Sequence, residues 1–349
     1  MFKNFLKKEH KECGLQENMV LAGIMGTAVG DALGVPVEFY PREKLNKRPV
    51  IDMREYGTHN QPKGTWSDDT SLTLATIDGL TRDWYDVTFI ANTFLNWKWK
   101  GMYNARKTIF DIGDTTNDAI KKFDWYHDAL SSGSDSENDN GNGSMMRMLP
   151  LAFCLADESD LKKKAKITYE VSGITHNHLR SRVSCHIYIE FAIKLINGIE
   201  QKIAYKEICE ELSMFYANLD ISEKRHFTRI LGGEIGSFKE EEIKSTGYVI
   251  DTLEACLWCL MNTSCYKEAI LKAVNLGGDT DTIGSITGGL AGIIYGIKSI
   301  PIEWINELAN KELIIAQSEK LYRKCFVDKD FYKYFFADYD LKKIKDEGE

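Results

Sequence analysis

The chain has 349 residues, 43% of them hydrophobic and 11% aromatic, which can furnish a sizeable core in one large domain or two average ones. A formal net charge of −8 excludes any global attraction to nucleic acid or to an anionic membrane, although local donors such as helix N-termini can still hold an anionic ligand. The start, "MFKNFLKKEHKECG", has no apolar run of the secretory kind, and the eight cysteines are scattered, so reduced thiols in a cytoplasm are expected.

Helical periodicity recurs along the chain, and clean period-two alternation is hard to find. No Pro- or Ser-rich linker divides it, and no run of 18 uncharged apolar residues occurs. One compact, almost wholly α-helical domain over residues 1–349 is expected.

The first informative element is "GIMGTAVGDALGVPVEF", residues 23–39. Gly26, Gly30 and Gly34 recur every four residues, so on a helix they share one face and let another backbone approach closely. The pattern is neither GxGxxG nor a P-loop. Asp31 interrupts the apolar run, as a cap, an internal hydrogen-bonding group or a ligand. Glu38 follows Pro36 in a loop. In "GTWSDDTSLTLATIDGL", residues 64–80, Ser67, Asp68 and Asp69 stand where a helix should begin. They are either ordinary cap and first-turn acids or ligands. Asp111, in "IFDIGDTTNDAI", sits on an apolar-flanked turn, as a buried acid near a site or as a cap.

Residues 131–144, "SSGSDSENDNGNGS", read as a polar surface loop. In "NGNGSMMRMLPLA" the glycines at 141 and 143 leave backbone N–H groups open before a helix expected near Ser144. An uncharged loop holds phosphate this way, and a plain Asn-Gly turn has the same sequence. His176 and His178 in "GITHNHLRSR" lack the spacing of a zinc helix and are phosphate or ribose contacts or surface residues. Buried helices are expected in "SRVSCHIYIEFAIKLINGIEQ" and "GYVIDTLEACLWCLMNTS". The Cys256–Cys259 pair of the second has no partners for zinc and reads as core thiols. "YKEAILKAVNL" is an amphipathic helix ending at Gly277-Gly278, and Pro301 is expected at the first turn of "PIEWINELANKE".

"NLGGDTDTIGSITGGLAGIIYG", residues 275–296, sets Asp279, Asp281 and Thr282 at another helix start, ahead of a glycine-rich run. It is not an EF-hand, which would need ligands where Ile283 and Leu290 stand. The layout matches that of Ser67–Asp69. Two acidic helix starts can face each other only if a charge compensates them, and one or two hard divalent cations do so with oxygen ligands. The glycine run would let this helix pack close to its partner.

Together, "GTAVGDALGVPVEF", "GTWSDDTSLTLA", "FDIGDTT", "GNGSMMR", "TH" at 175–176 and "GGDTDTIGSITGGLAG" resemble the ADP-ribosylglycohydrolase family, in family order from residue 22 to about 296. The resemblance implies an orthogonal all-α bundle whose cleft holds two Mg²⁺ or Mn²⁺ ions. It implies a substrate bearing ADP-ribose, as a modified protein or a small conjugate. By matching position, Ser67, Asp68, Asp69, Asp279, Asp281 and Thr282 would ligate the metals. Glu38 and Asp111 would act at the scissile bond. Gly141, Asn142, Gly143, Ser144 and Met145 would cradle pyrophosphate and ribose, with His176 beside them. Many members have Thr where this chain has Ser67, which offers the same hydroxyl. The resemblance favours ADP-ribosyl-arginine as substrate, with serine or O-acetyl linkages, a reader that only binds ADP-ribose, and a dinuclear phosphoester hydrolase as the alternatives. A companion ADP-ribosyltransferase, whose product this chain would reverse, is a further expected partner.

Overall fold

The computed structural model describes residues 2–82 and 86–328. The elements that position the site are α1 (Phe2–Gly34), α2 (Asp68–Arg82), α3 (Asp114–Tyr126), α4 (Leu149–Leu155), α5 (Leu179–Ile196), α6 (Val249–Met261), α7 (Tyr266–Asn275), α8 (Thr280–Tyr295) and α9 (Lys311–Tyr322). Among the described residues there is no strand, only isolated bridges such as Ser134 with His176 and Gly141 with Tyr248. The all-α expectation holds.

The centre of the molecule is an antiparallel pair, α1 against α8, touching through glycine on both sides. A Cβ placed on Gly30 would lie 2.0 Å from the Gly284 carbonyl oxygen, and one on Gly26 would lie 2.3 Å from that of Gly288. The same holds at Gly292 against Ala22, at 2.1 Å, and at Gly34 against the Asp281 backbone, at 2.3 Å. Glycine inside a helix costs about 0.5–1 kcal/mol relative to alanine. The four glycines at 284, 288, 289 and 292 are tolerated because α8 is buried from Thr280 to Ile293 and its packing requires backbone-to-backbone contact. Thr280 ties the pair further, donating its hydroxyl to the Gly34 carbonyl at 2.8 Å.

The stretch Asn18–Val37 is long and apolar enough by composition to cross a membrane, yet 94% of the apolar window is buried inside the molecule. It is the core helix around which the others pack. On its flank, α2 is sheathed by α9, whose Lys320 ion-pairs with Asp78. Tyr103 donates to the same carboxylate at 2.6 Å. Cys256 and Cys259 are fully buried on α6, as core thiols. Cys13 lies outside the described side chains.

Three expectations need correction. Pro301 is the N-cap rather than the first residue of its helix, which runs only Ile302–Glu307 before α9 begins. The turn after Gly143 is a 3₁₀ turn, Met145–Arg147, and α4 starts at Leu149. The 131–144 segment is a surface loop only at its middle. Ser132, Asn140, Asn142 and Ser144 are buried, because the segment pairs with residues 175–177 and 247–249 through backbone hydrogen bonds.

Candidate active site

The two acidic helix starts meet. Asp69 of α2 and Asp281 of α8, 212 positions apart in the chain, offer carboxylate oxygens within 4.8 Å of each other and of an Asp31 oxygen from α1. The glycine contact makes this possible, since it seats the first turn of α8 directly on the end of α1. Asp31 also caps α2 from another helix. It accepts from the backbone N–H groups of Ser67 at 2.9 Å and Thr70 at 3.0 Å, and from the Thr70 hydroxyl at 2.6 Å. Ser67 bonds Asp69 through its hydroxyl at 3.2 Å, and Thr282 donates to Asp69 at 3.3 Å.

Among the described residues no cationic side chain enters this cluster. Asp69 Oδ1, Asp279 Oδ1 and Asp281 Oδ2 are buried without a hydrogen-bond partner. Burial, reinforced by neighbouring acids, pushes Asp68, Asp69 and Asp281 well above the usual carboxylate range, and burial lifts Asp31 to about 7. Orphaned oxygens in a dry anionic nest fit a hard divalent cation, whose preferred donors are these carboxylate and hydroxyl oxygens.

A second layer lies toward solvent. Glu38 hydrogen-bonds His59, and His59 Nε2 is 3.5 Å from Asp111 Oδ1. Oxygens of Glu38, Asp111 and Asp281 and a His59 nitrogen lie within 4.8 Å of one another. Burial and then the Asp279 charge raise Glu38 to about 8. Burial and then Glu38 raise Asp111 to about 7. Asp111 caps nothing. It has φ +67°, a strained conformation for a non-glycine residue, and Gly113 is the N-cap of α3. Glu38 is held by the pairing of Phe39 N–H with the Gly278 carbonyl at 2.7 Å and of Gly278 N–H with the Tyr40 carbonyl at 2.9 Å. Gly278 and Gly277 have positive φ, and a Cβ on Gly278 would meet the Ser245 carbonyl at 2.0 Å.

Glu38, Asp111, Asp68, Asp279 and Thr282 line a cleft of about 260 Å³ that also takes in Gly141, Asn142, Gly143 and His176, whereas Asp31, His59, Ser67, Asp69 and Asp281 are absent from its lining. Asn142 bridges the two sides, donating to Asp279 Oδ2 at 2.8 Å and to Thr252 at 2.9 Å. His176 packs on the glycine turn, since a Cβ on Gly143 would lie 2.9 Å from its ring. Burial, and then Arg147, lower His176 to about 3, so its imidazole is neutral.

Not every expected residue reaches the cleft. Ser144 turns into the core, where Ser172 donates to it at 2.9 Å and the Cys185 sulfur lies 3.3 Å away. Met145 is fully buried, and Met146 lines the cleft in its place. The cause is the tight 3₁₀ turn, which rotates 144 and 145 inward. His178 caps α5, accepting from Arg180 N–H at 3.2 Å, and is absent from the cleft lining. The sequence reading missed His59, the role of Asp31, the Gly113–Thr116 start of α3, and Gly247. His59 stands in a loop with no periodicity, and the Asn/Gly-flanked neighbourhood carried no signal beyond a turn.

Comparison with known proteins bears on the family and the fold. Residues 15–330 match the family model described as ADP-ribosylglycohydrolase. The chain is 32% identical to ADP-ribosylarginine hydrolase Tri1 of Serratia proteamaculans over 301 residues, covering 86% of this chain and 77% of that protein. It is 30% identical to the ADP-ribosyl-[dinitrogen reductase] glycohydrolase of Rhodospirillum rubrum over 302 residues, covering 83% of this chain and 90% of that protein. A solved ADP-ribosylglycohydrolase-related protein complex contains a chain of TM-score 0.74 and 27% identity, with 89% of this chain and 99% of that chain covered.

Proposed function

This chain belongs to the ADP-ribosylglycohydrolase family, and on that premise we propose that it hydrolyses the N-glycosidic bond joining ADP-ribose to an arginine side chain. The observation that carries the reading is the Glu38–His59–Asp111 layer, which meets the Asp31–Asp69 cluster at Asp281, with Asp69 and Asp281 oxygens left orphaned. The similarity to an ADP-ribosylarginine hydrolase supports the arginine linkage, and the similarity to an ADP-ribosyl-[dinitrogen reductase] glycohydrolase supports a modified protein as substrate.

Asp31, Ser67, Asp68, Asp69, Asp279, Asp281 and Thr282 would hold Mg²⁺ or Mn²⁺. When bound, such ions supply fixed positive charge that orients ribose hydroxyls and makes nearby water more acidic. The remaining work belongs to this chain's own groups. Departure of the nitrogen leaves an oxocarbenium-like carbon at C1. Glu38, in its ionised form and steadied by His59, accepts the proton of the attacking water as the new C1–O bond forms, and the departing nitrogen, which keeps the C1–N electron pair, takes a proton from Asp111. Asp111 faces the leaving group, where its carboxylate, once deprotonated, pairs with the arginine guanidinium. Asn142 and the open N–H groups of Gly141 and Gly143 take the ribose and phosphates without adding charge, and neutral His176 adds a hydrogen bond.

The test is to offer arginine-, serine- and acetyl-linked ADP-ribose under Mg²⁺ or Mn²⁺ and to follow free ADP-ribose. Release from the arginine conjugate is expected. Release from the serine or acetyl conjugate alone would overturn the choice of linkage, and release from none would overturn the activity.

A further inference from the structure

Beside the cleft, on the far side of the short turn that carries Glu38, lies a groove of about 530 Å³. Its lining includes Pro36, Val37 and Tyr40 of that turn together with Lys44, Arg48 and Arg54. Glu55 is its one acidic lining residue. The chain as a whole is acidic, at −8, so three cations around one groove run against the background. They are not consumed by ion pairs. Lys44 Nζ lies over the Tyr40 ring, and Arg54 donates to the Arg48 and Pro49 carbonyls at 2.8 and 2.6 Å. No carboxylate pairs with any of the three among the described residues. Burial, and then the charge of Arg48, lower Arg54, so the groove holds positive charge at a cost. Lys44 and Arg48 are exposed.

The position of the groove decides what it serves. It shares the Pro36–Tyr40 segment with the cleft, and Phe39 stands exposed on the ridge between them. The ridge carries Glu38, whose carboxylate oxygen lies within 4.8 Å of an oxygen of Asp111, the residue that faces the leaving side chain, and the phosphate-holding turn at Gly141–Gly143 is reached from elsewhere in the chain. We propose that this groove is an exosite for the modified protein itself, seating acidic residues that flank the ADP-ribosylated side chain. This rests on the hydrolase reading above. Electrostatic complementarity of this kind speeds encounter and selects partners while leaving the chemistry untouched.

The experiment uses the full chain with Lys44→Glu and Arg48→Glu combined. Three substrates are compared: ADP-ribosyl-arginine alone, the same modification within an aspartate-rich peptide, and within a lysine-rich peptide. Wild type is expected to prefer the acidic peptide. The variant should lose about tenfold in kcat/KM on that peptide, through KM, and match wild type on free ADP-ribosyl-arginine. Equal kcat/KM of variant and wild type on the acidic peptide overturns the exosite. Binding of the unmodified acidic peptide, read by fluorescence anisotropy, decides the matter independently of turnover. Loss of binding in the variant supports the exosite, and equal binding overturns it. Absence of turnover of free ADP-ribosyl-arginine by wild type would instead count against the hydrolase reading alone.

Discussion

At the level of single side chains, the least replaceable group is Asp281. It sits where α1 ends and α8 begins, 1% exposed, with one oxygen bonded by Thr282 N–H at 2.9 Å and the other orphaned. Asp281→Asn keeps the shape and removes the charge. We expect kcat/KM for ADP-ribose release to fall about a thousandfold, with the helical circular dichroism spectrum unchanged. His59 acts through Glu38 and Asp111 rather than on substrate. His59→Ala should reduce kcat about ten- to a hundredfold while leaving KM near its original value, and the pH profile should shift because Glu38 loses its neighbour. His176 makes the opposite demand, since it must stay uncharged. Its folded-state value of about 3 lies below the 6.5 of an unfolded histidine. The unfolded chain therefore binds the extra proton as pH drops, and this residue's contribution is complete above about 6.5 and is lost toward 3. Imidazole NMR shifts of His176 should stay flat from pH 5 to 8. A titration in that range would show the burial argument to be wrong.

At the level of elements, the α1–α8 contact makes a specific demand on sequence. Gly30→Ala forces a methyl to within 2.0 Å of a carbonyl oxygen, and neither helix can yield alone. A loss of about 1–3 kcal/mol is expected, visible as a Tm several degrees lower. Gly113→Ala, where nothing lies within 4 Å of the added methyl, is the control and should cost little. Much of this was legible beforehand. Glycine at four-residue spacing has one main structural use, and two acidic helix starts in one chain need a shared counter-charge. What stayed hidden depends on contacts between distant segments. Asp31 caps α2 across 36 positions, and the choice between cap, buried bond and ligand cannot be read from its own neighbours. His59 reaches Glu38 only because the 38–61 loop folds back, with Tyr56 N–H donating to the Gln61 carbonyl at 2.6 Å. The inward turn of Ser144 and Met145, away from the cleft lining, has the same origin: a 3₁₀ turn and a helix start look alike over three residues, yet they aim side chains differently.

For the molecule as a whole, the acidic centre is a store of electrostatic repulsion. Asp31 near 7, Asp111 near 7 and Glu38 near 8 all exceed their unfolded values of 3.8, 3.8 and 4.5. In the metal-free protein the unfolded chain gives up these protons first. The stability these three groups contribute is therefore complete below about 4 and is lost as pH rises through 7 to 8. Metal-free protein should melt lower at pH 8 than at pH 5.5, and Mg²⁺ should restore much of the difference at pH 8. A Tm indifferent to both pH and Mg²⁺ would show that the carboxylates are compensated by other means. The α1–α8 pairing also imposes an order on synthesis. The partner of Gly30 is residue 284, so the acidic cradle cannot close until the chain has been made through that position. A product truncated short of that point would lack the Asp69–Asp281 meeting whatever its other helices had formed, and under the hydrolysis proposed above a half-made copy would release nothing.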